Sequence, residues 1–102
     1  FSPELIGQKN DEYKDFILGN VYECSFKESI SNAVFSKMYT DIMNGINSCK
    51  QSCEYFSFCG GGAPSNKLFE NGTFNSTETL YCKYHIQTPL EITLKNIEKL
   101  LL

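Results

Sequence analysis

The chain has 102 residues and a formal net charge of −3, and 41% of its residues are hydrophobic and 21% charged. This composition is that of one small globular domain and excludes a disordered chain. All nine basic residues are lysines scattered along the sequence, so we predict no nucleic-acid partner. No apolar run approaches the ~18 residues that a membrane span requires, so we predict no membrane partner.

The N-terminal part of the sequence shows little regular periodicity. Residues 1–18 mix polar and apolar positions without a clear pattern, and we interpret them as a connecting segment. Gly19 and Asn20 then predict a turn, and Val21 to Cys24 predict a short strand that leaves it.

A helical pattern follows this predicted strand. Apolar residues recur every four positions, at Ile30, Val34, Met38, Ile42 and Ile46. This spacing predicts one amphipathic helix from Ser25 to Asn44, with its apolar face turned toward a core. Ser25 and Glu28 have the spacing of a helix capping box, although Ser29 is an equally suitable cap. Gly45 predicts the end of the helix.

The remaining sequence predicts a loop, a hairpin and a second helix. Residues 49–66 are rich in cysteine and glycine, which predicts an irregular loop. Asn71-Gly72 lies between β-compatible residues and predicts a hairpin turn. Thr88 as a cap, with Pro89 in the first turn, predicts a final helix. The buried stripe of this helix is expected at Leu90, Leu94, Ile97 and Leu101.

These elements predict an α+β fold class. The expected architecture is a small domain with a short β-hairpin, a cysteine-rich cluster-binding loop and two amphipathic helices.

Five cysteines in a chain of this length admit disulfides, a metal site or simple burial. An iron–sulfur cubane needs one thiolate at each of its four irons, and structural zinc also accepts four thiolates. The C-x3-C-x5-C spacing of Cys49, Cys53 and Cys59 differs from the usual zinc knuckles and favours iron. Spacing alone leaves two alternatives open, a zinc-stabilised non-enzymatic interaction module and a secreted disulfide module.

The glycine run that follows Cys59 suits a cluster for a separate reason. Gly60, Gly61 and Gly62 let the backbone approach a bulky anionic group and direct N–H groups toward its sulfurs. The run is not a phosphate-binding loop, because it lacks the G-x-x-x-x-G-K-[ST] pattern.

The stretch from Cys49 to Cys82 resembles the C-terminal SPASM domain of radical S-adenosylmethionine enzymes, which modify peptides and proteins and carry auxiliary [4Fe–4S] clusters. Three features match that family: a G-x4-C element at Gly19 to Cys24, the central gap between Cys53 and Cys59, and the last cysteine at Cys82. Within the family, three segments look like the cyclophane-forming peptide maturases: Cys53 to Lys67, Glu70 to Gly72, and Thr77 to Thr79.

The resemblance implies one complete cluster site and one broken site. The complete site corresponds to four cysteines that would hold one [4Fe–4S] cluster: Cys49, Cys53, Cys59 and Cys82. Three departures from the family pattern are visible: the first gap is x3 where the family has x2, Ala63 stands where the family has a further cysteine, and no cysteine precedes Gly19. Cys24 is therefore expected to be an unpaired, largely buried thiol.

The resemblance also implies the place of this chain in an enzyme. The C-x3-C-x2-C motif that binds S-adenosylmethionine is absent, since Phe56 stands where its third cysteine belongs. We therefore expect no catalytic residue here. S-adenosylmethionine and a second cluster are expected in an N-terminal radical barrel. Residues 1–18 are expected to connect this barrel to an auxiliary cluster domain at 19–87, which a C-terminal helix at 88–102 follows.

As a whole, the resemblance implies an oxidoreductase that cross-links side chains of a ribosomally made precursor peptide in the cytoplasm. Tyr55, Phe56 and Phe58 lie between cluster cysteines and are expected to form a dry wall beside them. His85 is interpreted as an ordinary surface histidine, and Glu70 and Glu78 as solvated or capping carboxylates.

Overall fold

The computed structural model describes residues 6–102, and this range contains helices and turns but no strand. The predicted α+β class and its β-hairpin are therefore wrong, because the described chain is all-helical. Residues 1–5, where the predicted connecting segment begins, lie outside the described residues.

The helices follow one another in chain order. They are α1 (Phe26–Ile30), α2 (Ala33–Ser52), α3 (Phe56–Cys59), α4 (Pro64–Asn71), α5 (Leu80–Cys82) and α6 (Thr88–Leu101). A short 3-10 turn at Lys14–Phe16 precedes them, and a π-helical segment at Lys83–Gln87 joins α5 to α6. No helix of this part of the chain is long and apolar enough to cross a membrane.

The first predicted helix is divided in two. Ser25 caps α1 as predicted, because its hydroxyl accepts a hydrogen bond from the Glu28 N–H at 3.2 Å. A second cap at Asn32 restarts the helix, with its side-chain oxygen 2.8 Å from the Phe35 nitrogen. The same amide donates to the Leu18 carbonyl at 2.6 Å. This side chain therefore ties the start of α2 to the N-terminal segment.

The second helix also continues beyond the predicted stop at Gly45 and ends at Ser52. Gly45 is buried within α2, and a Cβ added there would lie 2.2 Å from the Phe74 carbonyl oxygen. The glycine therefore allows a close approach of two backbones and does not terminate the helix.

The two predicted β features have helical or turn explanations. Asn71 ends α4, and Gly72 caps it with a left-handed backbone at φ 78°, its N–H bonded to the Leu68 carbonyl at 2.9 Å. Hairpin turns and helix C-caps both require positive φ, so Asn-Gly suits either. The predicted strand from Val21 to Cys24 is a turn closed by hydrogen bonds to the Asn20 carbonyl.

The final helical segment begins earlier than predicted. Thr79 caps it, and helical backbone continues through the π-helical segment, so Thr88 with φ −62° and ψ −48° is inside the helix. Pro89 has no N–H with which to continue the α-helical ladder, and the wider π-helical turn lies immediately before it.

A small core lies under α2 and α4. Its buried members are Tyr13, Met38, Leu68 and Phe74, with Phe16, Leu18, Val34 and Ile42 packed against them. Met38 comes from the predicted stripe of α2, whereas Ile30 is exposed. The prediction that α6 buries an apolar stripe is wrong within this chain, because Leu94 is 45% exposed and Leu101 is 81% exposed.

Candidate metal centre

The four cysteines predicted as cluster ligands line one cavity of about 620 Å³. Cys49 lies on the last turns of α2, Cys53 caps that helix, Cys59 ends α3 and Cys82 ends α5. Cys49 is buried and the other three are half-buried. The fold therefore brings cysteines from three parts of the chain to one cavity. The first and last of them, Cys49 and Cys82, are 33 positions apart in the sequence (82 − 49).

The end of α2 places the first two of these thiols. The helix continues to Ser52 and closes when the Cys53 N–H bonds to the Cys49 carbonyl at 2.8 Å. The chain then turns directly into α3, where Phe56 N–H lies 3.3 Å from the Cys53 carbonyl. Cys49 thus lies in helical backbone and not in the irregular loop that the sequence predicted, whereas Cys53, with φ −111° and ψ 122°, is the extended residue that follows the helix.

The glycine run shapes the wall beside Cys59. Gly60, Gly61 and Gly62 have φ values of 67°, 109° and 76°, which side-chain-bearing residues rarely adopt. Gly61 is buried, and a Cβ added to it would lie 3.0 Å from Cγ1 of Ile46. Its N–H donates to Cys59 Sγ at 3.4 Å. The sequence predicted N–H groups directed at the sulfurs of a bound cluster, and the contact seen here is to the sulfur of a predicted cluster ligand.

Cys82 is positioned by a capping interaction at the start of α5. The Thr79 hydroxyl accepts from the Cys82 N–H at 3.1 Å, and the Thr79 N–H donates to Cys82 Sγ at 3.3 Å. Gln87 donates to the same sulfur at 3.6 Å. Both carboxylate oxygens of Glu70 accept backbone N–H groups of this first turn, at Leu80 and Tyr81. Glu70 is therefore a capping carboxylate.

Lys67 contributes a charge to the cavity wall. This residue of α4 is only 4% exposed, and its Nζ donates to Cys49 Sγ at 3.3 Å. Three of the four sulfurs thus accept a hydrogen bond from nitrogen: Cys49 from an ammonium, and Cys59 and Cys82 from backbone N–H groups.

These donors fit an iron–sulfur cluster. Its ligands are cysteine thiolates, and hydrogen bonds to the sulfurs are among the factors that set its potential. All five cysteines are free thiols. No three His, Cys, Asp or Glu side chains within residues 6–102 form a group that could hold a metal ion. The support for a cluster therefore comes from the hydrogen-bond donors at the sulfurs and not from a preformed ligand geometry.

Aromatic residues line one side of the cavity, and one of them connects it to α6. Tyr55 and Phe58 line it, although Phe58 is 66% exposed. The Tyr55 hydroxyl forms a hydrogen bond with Glu91, and this bond, followed by burial, raises the pKa of Tyr55 to about 12. On this side of the cavity Tyr55 is therefore uncharged at neutral pH, and its hydroxyl is hydrogen-bonded to α6.

Two other predicted features lie apart from the cavity. Cys24 is not one of its lining residues; it is half-buried, with Sγ 3.3 Å from Ser29 Oγ. His85 is exposed and stacks on Tyr81 with ring centroids 4.3 Å apart.

The sequence prediction missed the roles of Thr79, Gln87 and Lys67. The spacing of Thr79 and Cys82 was a usable signal, because a threonine three residues before a helical position is a capping pattern. The contact between Lys67 and Cys49 had no local signal, since it joins two helices that are distant in sequence.

Comparisons with known proteins give one relative. No protein-family model matches the sequence, and no solved structure matches the chain. The chain is 46% identical over 99 residues to uncharacterized protein sll1766 of Synechocystis sp.. That match covers 97% of this chain and 25% of the relative. The chain is therefore similar to a segment of a longer protein.

Proposed function

We propose that this chain is the auxiliary [4Fe–4S] domain of a radical S-adenosylmethionine enzyme that cross-links side chains of a ribosomally made peptide. The observation that carries the proposal is the convergence of Cys49, Cys53, Cys59 and Cys82 on one cavity. The resemblance of residues 19–85 to the SPASM domain supplies the reaction class, and the donors around the sulfurs support the cofactor.

The residues of this chain would hold and shelter the cluster. The four cysteines would bind its irons, while Gly61 and Thr79 orient two of the sulfurs by backbone N–H bonds. When bound, such a cluster would supply a one-electron redox centre. Tyr55, which is half-buried, would restrict solvent on one side of the cavity.

The rest of the enzyme is part of the same proposal. The partner of this domain would be an N-terminal radical barrel, which would bind S-adenosylmethionine and its own cluster. The substrate would be a precursor peptide, and the enzyme would work in the cytoplasm, where thiolates stay reduced. The similarity to one quarter of a longer protein supports this placement within a larger chain.

Metal analysis of anaerobically prepared protein tests the proposal. We expect about four irons and an equal amount of acid-labile sulfide per chain, with an electron paramagnetic resonance signal after reduction by dithionite. About one zinc per chain without sulfide would instead establish the zinc-stabilised interaction module. Fewer than two free thiols under denaturing conditions would establish the disulfide module. Either result would contradict the proposal.

A further inference from the structure

The partner of the Lys67 ammonium is unusual for a buried charge. Lys67 is 4% exposed, and a buried charge is costly unless it is paired. Its Nζ donates to Cys49 Sγ, and no salt bridge joins it to a carboxylate of residues 6–102. The ammonium is therefore directed at a sulfur.

A neutral thiol is a poor partner for this ammonium. The sulfur of a protonated cysteine is only a weak hydrogen-bond acceptor, so it offsets little of the desolvation cost of a buried cation. A thiolate that binds a cluster carries negative charge, so it adds Coulomb attraction to the hydrogen bond that the ammonium donates. The burial of Lys67 therefore makes physical sense when Cys49 is a cluster ligand.

We infer that Lys67 is the charge-compensating residue of the cluster and that it raises the cluster's reduction potential. The inference rests on the proposed function. Uptake of one electron, supplied by the chemical reductant of a titration, adds a negative charge near the Lys67 ammonium. Attraction between these charges favours the reduced state, since net charge and hydrogen bonds at the sulfurs set the potential.

The alternative is a packing role. The aliphatic stem of a lysine covers apolar surface, and Lys67 lies beside the core residue Leu68 on α4. Packing requires the stem and not the charge. A neutral side chain of similar length separates the two roles.

Redox titration of anaerobically prepared protein, monitored by electron paramagnetic resonance, is the test. We expect Lys67→Met and Lys67→Gln to keep the wild-type iron content and to shift the midpoint potential to more negative values. Lys67→Arg keeps the charge and is expected to stay near the wild-type potential. Lys50→Met is the matched control, because Lys50 follows Cys49 directly but is exposed, and its potential should equal that of the wild type.

The outcomes separate the inference from the proposed function. A wild-type protein without iron and sulfide would overturn both. A cluster-bearing wild type whose potential is unchanged in Lys67→Met, or in Lys67→Gln, would overturn the charge role alone. If the neutral variants lose the cluster while Lys67→Arg retains it, the requirement for charge is supported. Equal loss in all three Lys67 variants would assign the residue to packing and overturn the inference.

Discussion

The α carbon of Gly45 lies against the backbone carbonyl of Phe74, so closely that a Cβ at position 45 would stand 2.2 Å from the carbonyl oxygen. This contact joins the middle of α2 to the segment that follows α4. The first element carries Cys49 and the second leads to Thr79 and Cys82. The relative position of the two halves of the candidate metal centre therefore depends on a residue that carries no side chain.

Substitution of Gly45 by alanine is expected to destabilise the protein. Alanine favours a helix over glycine by about 0.5–1 kcal/mol, but the added methyl group must displace backbone, and overpacking of this kind costs about 1–3 kcal/mol. Chemical denaturation should show a lower free energy of unfolding. Asn47→Ala is the control, because Asn47 is exposed on the same helix. Equal stability of Gly45→Ala and wild type would disprove the close approach.

Two alanine substitutions in the glycine run should differ from each other. Both Gly61 and Gly62 have positive φ, which costs about 1–2 kcal/mol for a residue with a Cβ. Only at Gly61 would the methyl group also contact Ile46, whereas Gly62 has nothing within 4 Å. We therefore expect Gly61→Ala to lower the free energy of unfolding and the iron content more than Gly62→Ala. Identical effects in the two variants would show that the contact with Ile46 does not matter.

Removal of the Glu70 carboxylate should weaken the helix turn that carries Cys82. Its oxygens lie 2.7 Å and 3.3 Å from the nitrogens of Leu80 and Tyr81, and loss of such a cap costs about 0.5–2 kcal/mol. Glu70→Ala should show this loss in thermal or chemical unfolding, with faster amide exchange at Leu80. Glu23→Ala, in an exposed turn, is the control and should behave like the wild type.

The buried Tyr13 predicts a loss of stability at alkaline pH. Its hydroxyl donates to Asp41 at 2.6 Å, and burial, followed by that hydrogen bond, raises the pKa of Tyr13 far above its ordinary value near 10. Above pH of about 10 the unfolded chain loses this proton while the folded chain keeps it. The contribution of Tyr13 to the free energy of unfolding should therefore be fully present below that pH and be lost as the pH rises above it.

Tyr13→Phe is the variant that isolates this effect. It removes a hydrogen bond to a charged group, which is worth about 1.5–3 kcal/mol, so stability at neutral pH should decrease. Its decline above pH of about 10 should be shallower than that of the wild type. Tyr39→Phe, at an exposed site on α2, should keep the wild-type pH profile. A wild-type slope in Tyr13→Phe would contradict this account.

Local patterns predicted part of the structure. The period of four predicted a helix through Met38, and the cap at Ser25 was confirmed. The break at Asn32 was missed because its amide is fixed partly by Leu18, which is distant in sequence. Gly45 and Asn71-Gly72 were misinterpreted because a glycine has the same local signature in a turn, a helix cap or a close contact. Tertiary packing decides between these roles.

The candidate site was also predicted only in part. Cysteine spacing and family resemblance selected Cys49, Cys53, Cys59 and Cys82, and the fold brings these residues to one cavity. Their hydrogen-bond donors were harder to predict. The Gly61 N–H has a sequence signal in the glycine run, but the reach of Lys67 from α4 to α2 depends on how the two helices pack.

The most direct test of the central claim is the iron content of single cysteine variants prepared anaerobically beside the wild type. The claim is that one cluster is bound by Cys49, Cys53, Cys59 and Cys82, and that Cys24 takes no part. We predict about four irons per chain in the wild type and in Cys24→Ala, and a marked loss in Cys82→Ala and in each of the other three variants. Loss of iron in Cys24→Ala equal to that in Cys82→Ala would contradict the ligand set, and about eight irons in the wild type would contradict the single cluster.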